Sequence, residues 1–203
     1  MSPAFNRFLP RFVVIAVAAG TLAGCGVNTI PTSEENAKAK WAEVQNQYQR
    51  RADLVPNLVS TVKGYAKQEQ DTLVKVTEAR AKATSVQITA ADLTDPDKVA
   101  AYQKAQGELS QGLGRLMANV EAYPDLKSNE NFLTLQSQLE GTENRIEIAR
   151  RDYNEAVRQY NTTIRTFPDA VGAKIFYGSK PKVPFEATAE AQRAPSVTFN
   201  TAG

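Results

Sequence analysis

The sequence predicts an all-α protein: an elongated antiparallel bundle of three to four long helices. Two observations carry this. Apolar residues recur at threes and fours from about residue 35 to 167, and one stretch keeps a strict seven-residue period. Clusters of Pro, Asp and Ser interrupt the pattern only where a chain must turn back on itself.

The first long helix is expected after a short linker, residues 25–31. Thr32 and Glu35 have capping-box spacing. Trp41, Val44, Tyr48, Val55, Leu58, Val62, Tyr65, Leu73, Val76 and Ala79 then mark one apolar face to about Thr84, interrupted by Arg51 and Glu69. Pro56 lacks an amide hydrogen, so a kink or break is expected near Asp53–Pro56. Residues 85–95 read as a connection. Asp95-Pro96 supplies an N-cap and a proline at the first helical position. Val99, Tyr102, Leu109, Leu113, Leu116, Val120 and Tyr123 continue the helical spacing, with Gln106 as the polar intruder. Gly107, Gly112 and Gly114 each cost about 1 kcal/mol there relative to Ala, which implies close helix approach or a soft element.

Tyr123–Asn129 reads as a turn, with Ser128 capping the last helix. In that helix Phe132, Leu139, Ile146, Tyr153, Tyr160 and Phe167 fall seven apart, and Leu135, Thr142, Ala149, Ala156 and Thr163 fill the second seam. Pro168 ends it. The bundle is therefore assigned to residues 32–168, an extended strap to 169–185, and a disordered tail to 186–203, which is mostly small and polar.

The amino-terminal 24 residues differ from the rest. Arg7 and Arg11 precede the apolar run "FVVIAVAAGT" (12–21), which is too short for the roughly 20 residues that a bilayer demands. "LAGC" (22–25) resembles the lipobox of bacterial lipoproteins. That resemblance implies a signal peptide over 1–24, cleavage between Gly24 and Cys25, and lipid on the Cys25 sulfur. Two or more acyl chains anchor stably where one does not. By resemblance to lipoprotein sorting in two-membrane bacteria, Gly26 in place of an aspartate implies the outer membrane, facing the periplasm, rather than the inner one.

Composition narrows the chemistry. The chain has no histidine and one cysteine, so His-dependent triads, imidazole metal sites and internal disulfides are excluded. No cofactor is expected beyond covalent lipid on Cys25, and no metal site. Beyond Cys25 the basic and acidic residues balance, which gives no electrostatic case for nucleic acid. No catalytic constellation stands out, so an enzyme is not expected.

Three segments resemble the LemA family: "RRADLVPNLVSTVKGYA" (50–66), "EAYPDLKSNENFLTLQSQLEGTENRIEIARRDYNEAVRQYNTTIRTFP" (121–168), and the close around Phe185 and Glu186. "TEN" (142–144), "AR" (149–150) and the two "YN" pairs (153–154, 160–161) hold register. The resemblance implies a helical bundle held at a bacterial membrane outside the cytoplasm and supplies no activity. Many family members use an amino-terminal transmembrane helix, whereas this chain carries a lipobox.

The polar residues that fit the family pattern are Asn57, Glu143, Asn144, Arg150, Tyr153, Asn154, Tyr160 and Asn161. They read as a partly buried network fixing helix register, or as a partner surface. Arg50-Arg51 and Arg150-Arg151 read as solvated faces, and Tyr48, Tyr65, Tyr102, Tyr123, Tyr153 and Tyr160 as core tyrosines. Glu34-Glu35 reads as acid at a helix N-terminus. The function expected is a membrane-anchored scaffold whose partners are other envelope proteins, with a homo-oligomer left open. The alternative is a carrier or sensor that holds a small ligand between helices, in a gap allowed by the glycines.

Overall fold

A computed structural model describes residues 28–186. The lipobox with Cys25, the segment before it and the tail 187–203 lie outside the described residues.

The chain forms α1 (Thr29–Tyr65), α2 (Gln70–Ser85), α3 (Pro96–Val120), a single turn α4 (Pro124–Lys127), α5 (Glu130–Thr163) and a short α6 (Asp169–Gly172). Among the described residues there is no strand. The long helices make the expected all-α antiparallel bundle. α5 runs back along α1, so that Lys40 meets Asp152 at 3.1 Å near one end and Tyr65 meets Asn129 at 2.9 Å near the other. α2 folds back on the second half of α1, and α3 returns along α2.

Burial follows the predicted seams. Val55, Leu58 and Val62 of α1, Leu73 and Val76 of α2, Leu109, Leu113, Leu116 and Val120 of α3, and Phe132 and Leu139 of α5 form one core cluster. A second cluster, nearer the start of α1, is aromatic. Trp41 lies 5.3 Å from Tyr102, 5.4 Å from Tyr153 and 5.7 Å from Phe185, centroid to centroid. Rings at such separations and tilted or offset attract beyond the area that they bury.

Five expectations need correction. α1 starts at Thr29 rather than after a cap at Thr32, whose hydroxyl bonds back to the Asn28 carbonyl at 2.7 Å. Pro31 then falls in the first turn, where an amide hydrogen has no helical acceptor to lose. Pro56 does not break α1. The carbonyl that its missing N–H would have met, on Ala52, accepts instead from Arg80 Nε of α2 at 2.7 Å. The chain breaks at Ala66–Glu69, where a short 3-10 turn leads into α2. Asn129 rather than Ser128 caps α5, its side chain accepting from the Phe132 amide at 3.1 Å. The seam ends one heptad early: Phe167 is 85% exposed, and Ile164 is buried in the turn that closes α5. Residues 169–177 are helical, through α6 and a π turn at Ala173–Tyr177, so only 178–186 form an extended strap.

Candidate functional site

The two "YN" pairs of α5 hold the strap. Asn154 donates to the Phe185 carbonyl at 2.9 Å and accepts from the Phe185 amide at 2.7 Å. One heptad on, Asn161 does the same for Lys182, at 2.8 Å in both directions. The Tyr153 hydroxyl donates to the Val183 carbonyl at 2.9 Å. On its other side the strap is pinned by the loop before α3, where the Val183 amide meets the Leu93 carbonyl at 2.8 Å. A strand edge would normally supply these partners; here helix side chains do.

The strap returns contacts of its own. Lys182 is 4% exposed, its ammonium 4.9 Å from the Tyr160 ring and 3.2 Å from Glu34 of α1. Partial burial pushes the Glu34 carboxyl up, but Lys182 and Lys38 outweigh it and hold the group below its ordinary value. Arg150 lies 5.0 Å over the Phe185 ring and donates to the Glu186 carbonyl at 3.1 Å. Burial raises the phenol pKa values of Tyr48, Tyr102, Tyr153 and Tyr160.

A second polar centre crosses the middle of the bundle. Arg51, expected on a solvated face, is 1% exposed. Its guanidinium donates to Ser110 Oγ at 2.5 Å, Glu143 at 3.0 Å, and the carbonyl and side-chain oxygens of Gln106 at 3.0 and 2.8 Å. Gln106 passes the chain of bonds to the Ala83 carbonyl of α2 at 3.1 Å. One arginine thus ties four helices. The clue was its position: Arg51 lies three after Tyr48 and four before Val55, on the apolar seam itself. Glu69, the other interruption of that seam, accepts from Asn119, Thr72 and Tyr123.

The remaining candidates separate. Asn57 and Asn144 are exposed and belong to neither centre. Glu143 serves Arg51, not Arg150. Tyr65 is 48% exposed and leaves the predicted core, whereas Tyr123 is half-buried and packs against the first core cluster with its hydroxyl on Glu69.

Between α3 and α5 the helices stand apart and leave a groove open on one side. Its strap end, about 300 Å³, is floored by Arg51 and Glu143 and bounded by Arg150 and Phe185. It continues past Ser110 into about 380 Å³ lined by Leu113, Met117 and Leu139. Gly107 and Gly114, seven apart, face the two halves. A Cβ at either would meet nothing within 4 Å, so these glycines widen the groove rather than permit close helix contact. Gly112 differs: a Cβ there would touch Val76 at 3.5 Å. Among the described residues no cluster of acids or thiols could hold a metal ion, and no helix is long and apolar enough to cross a membrane.

Comparison with known proteins finds relatives over most of the chain. Two magnetosome proteins MamQ of Paramagnetospirillum magneticum are 29% identical over 157 residues, 70% of this chain and 58% of theirs. Protein LemA of Metamycoplasma hominis is 27% identical over 124 residues, 61% of this chain and 52% of its own. The chain thus spans little more than half the length of these relatives. The LemA family profile matches residues 40–199, which takes in most of α1, the whole of α2, α3 and α5, the Arg51 centre and the strap; the chain belongs to the LemA family.

Proposed function

We propose that this protein is a non-catalytic scaffold of the bacterial envelope, lipid-anchored through Cys25, that receives a segment of another envelope protein in the groove between α3 and α5. The observation that carries the reading is the groove itself. Two glycines keep it wide, and a fixed Arg51–Glu143 pair gives it a polar floor between apolar walls. An elongated opening suits a laid-in segment better than an enclosed small molecule. Glu143 is already engaged by Arg51, which weighs against a role for it in acid–base chemistry. The relatives' names state a family and a magnetosome, not a reaction.

Gly107→Leu and Gly114→Leu are chosen to fill the groove, since a Cβ at either position meets nothing within 4 Å. A photo-crosslinking residue at Gln111 gives discrete protein adducts in intact cells, and both leucine variants abolish them while the helical circular dichroism is unchanged. Equal adducts from the filled groove would refute the reading. A small ligand retained in native mass spectra, and lost on filling, would favour the carrier instead. For the anchor, Cys25→Ser releases the protein from the membrane fraction or blocks its processing; unaltered processing and fractionation would refute lipidation.

A further inference from the structure

Of the nine large hydrophobic residues exposed among the described residues, five lie together in the chain at 167–177, away from the groove, at the end of the bundle where α1 begins. Phe167 is 85% exposed, Phe176 71%, Ile175 68% and Val171 50%. These residues surround α6 and the π turn, which pack against the first turn of α1. Ile30 is buried with Tyr160, Ile164 and Ala173, and a Cβ on Gly172 would stand 3.7 Å from Ile30 Cδ1 and 4.0 Å from the Phe176 ring. Side chains this apolar, grouped at one end while Tyr65, Val74, Leu133 and Ile148 are spread over three other helices, mark a site of contact.

The chain itself identifies the occupant. Cys25 lies four residues before Thr29, so even a fully extended connection spans no more than about 14 Å. The charges agree: Arg165, Lys174 and Lys180, which alternate in sequence with the patch residues, are exposed, against the partly exposed Asp169 and, near the start of α1, Glu35, which is paired with Lys38. Apolar and aromatic groups rimmed by lysine and arginine match the interfacial layer of a bilayer, where rings enter the acyl boundary and cations meet anionic headgroups.

We infer that the Phe167–Tyr177 end of the bundle seats in the surface of a lipid bilayer, so that the protein stands on its membrane by this end. The inference builds on the anchored reading above, and its test keeps the two apart. The full chain is reconstituted on vesicles of phosphatidylcholine and phosphatidylglycerol and spin-labelled at Phe176→Cys, Val171→Cys or, at the opposite end, Lys127→Cys. All three positions are exposed, so the labels leave the core intact. Labels at 171 and 176 should collide severalfold more with oxygen, and severalfold less with a water-soluble nickel complex, than the label at 127. Equal nickel accessibility at 176 and 127 would overturn the inference, as would failure of the protein to associate with the vesicles. Mass spectrometry of the same sample reads Cys25 separately. A bare thiol there defeats the lipid anchor, and the seat of the bundle is still decided by the labels.

Discussion

Asn154 and Asn161 stand seven residues apart on α5 and close on backbone groups three residues apart in the strap, at Phe185 and Lys182. The two spacings agree physically. Seven residues of helix rise about 10.5 Å, and three residues of extended chain cover about 10 Å. A repeat that looks like a coiled-coil signature is therefore also a ladder for a strand-like segment running alongside. Asn154→Ala or Asn161→Ala leaves two backbone groups of the strap unpaired, at a cost of about 1–3 kcal/mol each. Limited proteolysis should cut the strap between residues 178 and 186 far faster in the double variant, while α1, α3 and α5 stay protected.

Arg80 and Pro56 should be coupled. In the wild type Arg80→Met strips the Ala52 carbonyl of its partner and should cost about 1–3 kcal/mol. In a Pro56→Ala background the helix amide returns, and the same substitution should cost much less. Urea unfolding of the four proteins measures the cycle. Equal costs in both backgrounds would show that Arg80 does not stand in for the missing hydrogen bond.

Arg51→Met should destabilise the bundle by about 1–3 kcal/mol, because the buried Gln106 oxygens lose their donor while the half-exposed Glu143 is taken up by water. Arg51→Lys should not restore stability. A lysine ammonium has no planar fork to reach Ser110, Gln106 and Glu143 together. Thermal unfolding followed by circular dichroism checks both.

The tyrosines set an alkaline limit. Burial raises the pKa of Tyr48, Tyr102 and Tyr153 in the fold, so the folded state holds its phenolic protons more tightly than the unfolded chain does. The stabilisation is present below the unfolded value of about 10 and is lost as pH rises above it. Absorbance at 295 nm should show the exposed tyrosines titrating first. The buried ones should appear only together with loss of helical signal.

Much of the fold was legible because periodicity reports which face of a helix is buried. Phe132, Leu139, Ile146, Tyr153 and Tyr160 all lie inward as their spacing requires. Periodicity says nothing about what stands opposite. Arg51 was misread as solvated because its acceptors lie 55 to 92 residues away, on α3 and α5. A break at Pro56, the stronger form of the expected kink or break, does not occur, because its remedy, Arg80, is supplied by another helix. The "YN" pairs were visible as a motif, but their partner is a strap whose backbone, not its side chains, they read.

The continuity of α1 through Pro56 fixes a height. Its 37 residues make a rod of about 55 Å. With the Phe176 end on lipid and the rod upright, Arg51 and the groove floor would sit roughly 33 Å above the surface, near mid-length. An unbroken rod of that kind acts as a stand-off, holding whatever lies in the groove at one set elevation instead of letting it swing.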